Sequence, residues 1–433
     1  MRKILCLILT ILLCISNVNF IMANPAIEEE NHFVKNAVSS SKVVNNGSEF
    51  VKYKGNIYYW KYNKNSFEKN AVWADYSPKY RVKNIMMCLQ NNGKRVKKFE
   101  ISGYGNIYIY NNRMYLQSAG TVSYEPKIFS VDMNGKNRKD FGTGVIKGID
   151  TKNGRLIYEL EGKIMSLNCK NGSKKILSSQ GEFLELDNGV VYYYDDAGIR
   201  DLVRIKSIRA DGTKNKQIVS VKLKLSDDDP REWLEIIQFQ IYKNTLYFSY
   251  GTFCGTAHEY GGGEIAKVKK DGTGFRVLAG TEENPVDNKF YILKSQNDTK
   301  LIYNTISGTA QAISLKNYKV TTTKFTVQPM KEAFNDGDNV SIYFSDSGKK
   351  TTLVRKSDYS SLGNNLSLKN GYDETYVGIK PVEYIDGNVY FKVEVSRHNP
   401  KVDLGWRYGY TRKITKVYKK NLKTNKKVLL YSY

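Results

Sequence analysis

The sequence reads as an all-β protein, a single β-propeller of four-stranded antiparallel blades. Three observations predict this. Polar hairpins recur along the chain, an aromatic hairpin precedes each of them, and the pairs repeat about every 47 residues. A lone four-stranded blade cannot bury both of its faces, and stacking such units around a ring does so. A long solenoid and two smaller sandwiches fit the regular four-strand units less well.

The polar hairpins come first. "IRADGTKNKQIVS" (208–220) returns as "VKKDGTGFRVLAG" (268–280). The same strand–turn–strand pattern runs through "IMMCLQNNGKRVKKFEI" (85–101), "KIFSVDMNGKNRKDFG" (127–142) and "KIMSLNCKNGSKKIL" (163–177), and more loosely through two later segments. Asn-Gly and Asp-Gly accept the positive φ angles of tight hairpin turns.

The aromatic hairpins share another shape: a strand, a polar turn, then a strand of the I/L/V-Y-Y/F type. Examples are "EFVKYKGNIYYW", "FLELDNGVVYYY" and "PVEYIDGNVYFKV". Their turns fall near 54, 111, 153, 188, 243, 297, 337 and 386, which gives eight blades, with six or seven as the alternatives because the unit after Val327 is blurred. The 33 Tyr suit this plan: rings fill the space between blades while hydroxyls reach polar partners.

Segments such as "VVYYYDD" with "LVRIKSIRADGTKNKQI", and "TLYFSY" with "EIAKVKKDGTGFRVL", resemble exported bacterial β-propellers of unknown function, relatives of the low-density-lipoprotein-receptor-type and TolB-like propellers. The resemblance covers most of residues 45–433. It implies a fold and an extracytoplasmic location, and it transfers no catalytic residue.

The N-terminus supports export. Arg2 and Lys3 precede an apolar run from Ile4 to Ile15, and Ala23 is a suitable last residue before cleavage. Residues 1–23 therefore read as a secretory signal peptide, 24–45 as a polar tail and 46–433 as the propeller. An uncleaved anchor over Ile4–Ala23 is the alternative. No other stretch is apolar enough to span a membrane. Cys88, Cys169 and Cys254 remain after the leader, odd in number and widely spaced, so they form no disulfide framework and no zinc site.

The net charge is +24, and loss of Arg2 and Lys3 leaves +22. A basic exported protein meets anionic partners such as wall polymers. Lys, Asn, Ile and Tyr are enriched together, so part of this charge is ordinary solvated surface. No dense Arg/Lys cluster of the nucleic-acid-binding kind is present.

With strands lettered A to D in each blade, the uneven connections are B–C. Long ones occur in blades one ("KYNKNSFEKNAVWADYSPKY"), five ("GTFCGTAHEYGGG") and eight ("SRHNPKVDLGWRYGY"), whereas blade three has only Glu161-Gly162. These loops emerge on one face with the D–A connections, one of which, "KLSDDDPREW", is also long. Loops held by a rigid scaffold are where binding concentrates. The predicted ligand-binding set on this rim is Trp73, Tyr76, Tyr80, Trp233, Phe253, His258, Tyr260, Trp406, Arg407 and Tyr408. The bland alternative for each aromatic is that it folds back to pin its own loop.

Little chemistry is legible. There is no zinc-protease helix motif, serine elbow or phosphate loop. Cys254, His258 and Glu259 form a loose cluster, and "SDDDPREW" and "NDGDN" lack the spacing of a calcium loop, so no metal or cofactor is expected. The best enzymatic constellation is a set of A-strand carboxylates, Glu49, Glu185, Glu332 and Glu383. Their even offsets place them on one strand face toward the channel, with Glu182 and Glu235 facing the other way. Glu185 and Glu332 are the candidates for an acid–base pair on a glycoside. The expected function is a non-catalytic, monomeric, secreted or surface-associated propeller that binds an anionic or glycan-containing cell-wall polymer through its rim. A carbohydrate-active enzyme and an extracellular protein-interaction scaffold are the alternatives.

Overall fold

The computed structural model describes residues 44–433 with breaks, the longest at 63–83, 323–333, 356–372 and 399–410. Every regular element among the described residues is a β-strand. The strands form eight consecutive antiparallel units. Residues 50–99, 104–143, 145–178, 182–222, 232–279, 286–322 and 373–432 each make four strands, and residues 334–355 make three. A single pairing, Gly263 with Val286, joins the fifth unit to the sixth. The A strands of neighbouring units contact one another and so line the centre.

The A–B turns explain their own sequence. Type I′ hairpin turns need positive φ at both central residues. Lys54-Gly55, Asn188-Gly189 and Asp386-Gly387 supply it, as does Asn111-Asn112. The B–C turn of blade three does the same with Glu161-Gly162.

Neighbouring blades bury one continuous apolar seam after another. Tyr58, Trp60, Met86 and Phe99 of blade one meet Ile107, Met114 and Phe129 of blade two. Equivalent clusters join blades two and three, three and four, four and five, and five and six. The predicted Tyr layer is real: Tyr58, Tyr115, Tyr158, Tyr193, Tyr247 and Tyr390 all come from B strands and are buried. Their hydroxyls are served unevenly. Tyr193 donates to Asn215 Oδ1 at 3.2 Å and Tyr115 to the Cys169 carbonyl at 3.5 Å, but the Tyr158 and Tyr390 hydroxyls have no hydrogen-bond partner.

The repeated polar hairpin is an inter-blade joint. In both Asp-Gly-Thr copies, the Asp Oδ1 accepts from the backbone N–H and the hydroxyl of the Thr two residues on. These bonds hold the carboxyls of Asp211 and Asp271 below the usual aspartate value. The glycine then lies against the D strand of the preceding blade. A Cβ on Gly212 would sit 2.5 Å from the Lys175 side chain, and one on Gly272 would sit 2.8 Å from the Ile218 carbonyl oxygen. D-strand lysines return the contact: Lys97 donates to Asn134 at 3.1 Å, Lys175 to the Asp211 carbonyl at 2.9 Å, and Lys216 to the Lys270 carbonyl at 3.0 Å.

Blade eight packs on blade one. Phe50, Tyr59, Met87 and Leu89 share a cluster with Ile385, Tyr390, Val417 and Tyr431. Lys392 pairs with Glu49 at 2.6 Å. Burial pulls the Lys392 pKa down, but Glu49 and Tyr433 outweigh it and leave it raised. The Tyr431 hydroxyl donates to the Trp60 carbonyl at 2.5 Å. Blades eight and one thus close by packing. The segment near Lys42 does add a strand, but elsewhere: Val44–Asn45 pairs with the A strand of blade three, opposite Asp150 and Ile149.

The connections differ from expectation in two blades. In blade five the B and C strands continue to Cys254 and from Glu259, with Phe253 opposite Tyr260. In blade eight they reach His398 and restart at Thr411. The expected blade-five loop is largely a long hairpin, because β-rich sequence keeps pairing past the point where its neighbours stop; most of the blade-eight loop, 399–410, lies outside the described residues. Cys88 is buried and Cys169 half-buried, and both are free thiols. Burial pushes the Cys169 thiol up to about 11.

Candidate functional site

The two faces of the ring are built differently. On the A–B face, turns are linked blade to blade. Tyr53 and Lys54 bond Asn112 at 2.8 and 2.7 Å, and Lys52 pairs with Asp386 at 2.7 Å. Lys270 pairs with buried Asp187, and the Tyr242 hydroxyl lies 3.3 Å from that of Thr299. These bonds tie neighbouring blades together. On the opposite rim, strands of blades three to five bring together groups that no seam requires.

Blade five builds the platform. Its A strand, Glu232–Tyr242, starts well before those of its neighbours and carries Trp233 and Glu235 to the rim. Trp233 pairs with Phe253 in register, and their rings lie 4.9 Å apart at 57°. Both side chains are half-buried. The Trp233 Nε1–H donates to Glu235 Oε1 at 2.6 Å, fixing the indole and the carboxylate together. The B–C turn of blade four buttresses this strand: Leu234 N–H donates to the Arg200 carbonyl at 2.8 Å, and Arg200 Nε to the Glu232 carbonyl at 2.9 Å.

Blades three and four supply the facing groups. Glu182 opens the A strand of blade four, cross-strand from Tyr194, whose hydroxyl it bonds. Partial burial of its carboxyl raises the Glu182 pKa; the Tyr194 bond opposes this, and the Glu235 and Glu159 charges add to it. Glu159 pairs with Lys147 at 2.7 Å and accepts from the Phe183 N–H at 2.8 Å, tying blade three to blade four. Asp195 is buried at the same end of blade four and is held by Arg204 at 2.6 Å and Lys206 at 2.5 Å. The result is an aromatic pair beside three glutamates, Glu159, Glu182 and Glu235, at the mouth of the channel.

The predicted residues are distributed as follows. Trp233 and Phe253 meet in the platform, and the backbone of Tyr260 lies opposite Phe253. Trp73, Tyr76, Tyr80, His258, Trp406, Arg407, Tyr408 and Glu332 lie outside the described residues. Glu185 lies in the A strand of blade four and is 9% exposed. Glu49 is drawn into the Lys392 ion pair of the closing seam.

The expected parity of the A-strand carboxylates does not hold. The register slips between Phe183 and Glu185, and again between Ile236 and Gln238. A bulge places two residues against one and resets the in–out count. Glu182 and Glu185 therefore oppose Tyr194 and Tyr192, which share one apolar cluster, so the two carboxylates lie on the same blade face. Lys147, Glu159 and Tyr194 carry no sequence signal of their own. They become visible only once the Glu235 extension and the two bulges are known.

No protein-family profile matches the chain, and no curated protein matches it. Solved propeller proteins do resemble it in shape. The propeller domain of the Trilobed protease from Pyrococcus furiosus is 8% identical at a TM-score of 0.38, over 89% of this chain and 98% of that one. Porphyromonas gingivalis dipeptidyl peptidase 4 is 10% identical at 0.45, over 91% and 66%. A prolyl endopeptidase is 10% identical at 0.42, over 94% of this chain but 51% of its own, so the present chain spans about half of that enzyme's length. The propeller assignment rests on the chain's own blades.

Proposed function

We propose that this protein is an exported binding module that holds a hydroxyl-rich glycan, such as the polysaccharide of a cell wall, at the rim mouth of blades three to five. The observation that carries this reading is the Trp233–Phe253 pair with Glu235 fixed against the indole. Sugar rings offer C–H faces to aromatic faces, and their hydroxyls donate to carboxylates. A half-buried aromatic wall with a few convergent acceptors supplies both. Export rests on the N-terminal leader and on the resemblance to exported propellers.

The mouth argues for the glycan over an anionic polymer. Glu159, Glu182 and Glu235 gather there, with Glu159 paired to Lys147 at 2.7 Å. Like charges facing each other in a partly desolvated site are unfavourable. Among the described residues, Lys97, Lys175 and Lys216 sit instead on outer strands at the inter-blade joints.

The test is retention on isolated wall sacculi, intact or stripped of anionic polymers, across a salt series. Wild type is retained by both preparations, and retention persists when salt screens exposed charges. Trp233→Ala loses retention while keeping its fold. Retention that needs the anionic polymers and fades with salt contradicts the proposal. Release of reducing ends that is abolished by Glu182→Gln would replace binding with cleavage, for which the raised Glu182 carboxyl beside Glu235 is the suitable acid.

A further inference from the structure

The face opposite the glycan mouth has its own electrostatic character. The A–B and C–D turns that form it expose lysines around the ring, including Lys136, Lys152, Lys170, Lys214, Lys316 and Lys423. Only some acids of the same face reach solvent. Asp150 and Asp187 are buried, the latter against Lys270. Asp386 is paired with Lys52, whereas Asp211 and Asp271, hydrogen-bonded within their own turns, stay exposed and charged. Exposed lysines outnumber these exposed carboxylates, so the described part of this face is net basic toward solvent.

The path of the chain leads to the same place. Val44 pairs with Asp150 and Asn45 with Ile149, antiparallel to an A strand that ends at the A–B turn. Residues before Val44 therefore leave past the A–B turn of blade three. The chain then runs inward, with Gly47 pressed against the Tyr108 ring and Ser48 bridged to Ile107, before Phe50 starts blade one. A Cβ on Gly47 would lie 2.5 Å from Tyr108 Cε1, so this inward route is sterically specified. The described chain thus enters from the basic face at Val44.

We propose that the A–B/C–D face is a docking surface for an anionic lipid bilayer. Lysines spread over a ring of turns suit a flat array of headgroups, each within a Debye length of the surface contributing to the attraction. The glycan mouth then points away from the membrane and toward the wall. Neither interaction needs the other, since the two use opposite faces.

The test is co-sedimentation of residues 24–433, which retain every described strand, with vesicles of phosphatidylcholine alone or mixed with phosphatidylglycerol. Binding is expected only to the mixed vesicles and is lost at about 0.5 M salt. The combined variant Lys152→Glu, Lys170→Glu and Lys316→Glu lowers the partition coefficient by at least about tenfold, with an unchanged thermal melt. Trp233→Ala binds vesicles like the wild type, which separates this face from the mouth. Equal binding to both vesicle types, no binding to either, or an unaffected triple variant overturns the proposal. So does retention on lipid-free anionic polymer without vesicle binding.

Discussion

A glycine at a C–D turn has two separable tasks, and two positions isolate them. Gly172 has φ +77° with nothing within 4 Å of a built Cβ, whereas Gly272 has φ +93° and the Ile218 carbonyl oxygen at 2.8 Å. Gly172→Ala meets only the left-handed backbone penalty of about 1–2 kcal/mol. Gly272→Ala meets that penalty and must also push back the D strand of blade four, at a further cost of at least about 1 kcal/mol. Urea midpoints at constant m-value measure the difference. Equal losses would mean that the turn does not bear on its neighbour. The first role was legible in the Asp-Gly signature; the second was not, because the partner lies one blade away in sequence.

Strands and hairpins were read well wherever local chemistry decides them. Asn188-Gly189 and Asp386-Gly387 announce their turns, and the Tyr-rich B strands announce their burial. What local pattern could not show were register slips and strand extensions. The bulges at Leu184 and Ile237 undo a parity count over the A strands, and the Glu232–Tyr242 extension carries Trp233 out of an expected connection and into a strand. The last strand has a task that its sequence, "VLLYSY", does not advertise. Tyr431 is 6% exposed, donates to Trp60, and stacks on Tyr59 and Tyr433 at 6.1 and 5.9 Å. Tyr431→Ala removes a large buried ring from the seam between blades eight and one and is expected to cost about 3–5 kcal/mol. The readout is chemical denaturation, with proteolysis of blade eight before the other blades. Retained resistance of blade eight would show that the seam is held elsewhere.

Over the whole molecule, charge is sorted by place rather than spread. The net +24 invites a reading of the entire surface as an anion trap. In the structure, lysines sit on D strands beside exposed Val96 and Ile176, where charge discourages edge-to-edge pairing, and in the inter-blade joints. Others crown the turn face, while glutamates collect at the opposite mouth. Composition gives the total and cannot give this division, because the sides of a ring alternate along the chain every few residues. The division gives the two described faces different electrostatic characters, on which the two proposed partners rest.

The most direct measurement is hydrogen–deuterium exchange of the protein with and without glycan strands released from stripped sacculi. Slowed exchange confined to residues 232–235, 251–254 and the blade-four strand ends at Glu182 and Tyr194 is the predicted result. Protection on the A–B and C–D turns instead, or no change at the mouth under saturating glycan, would contradict the account.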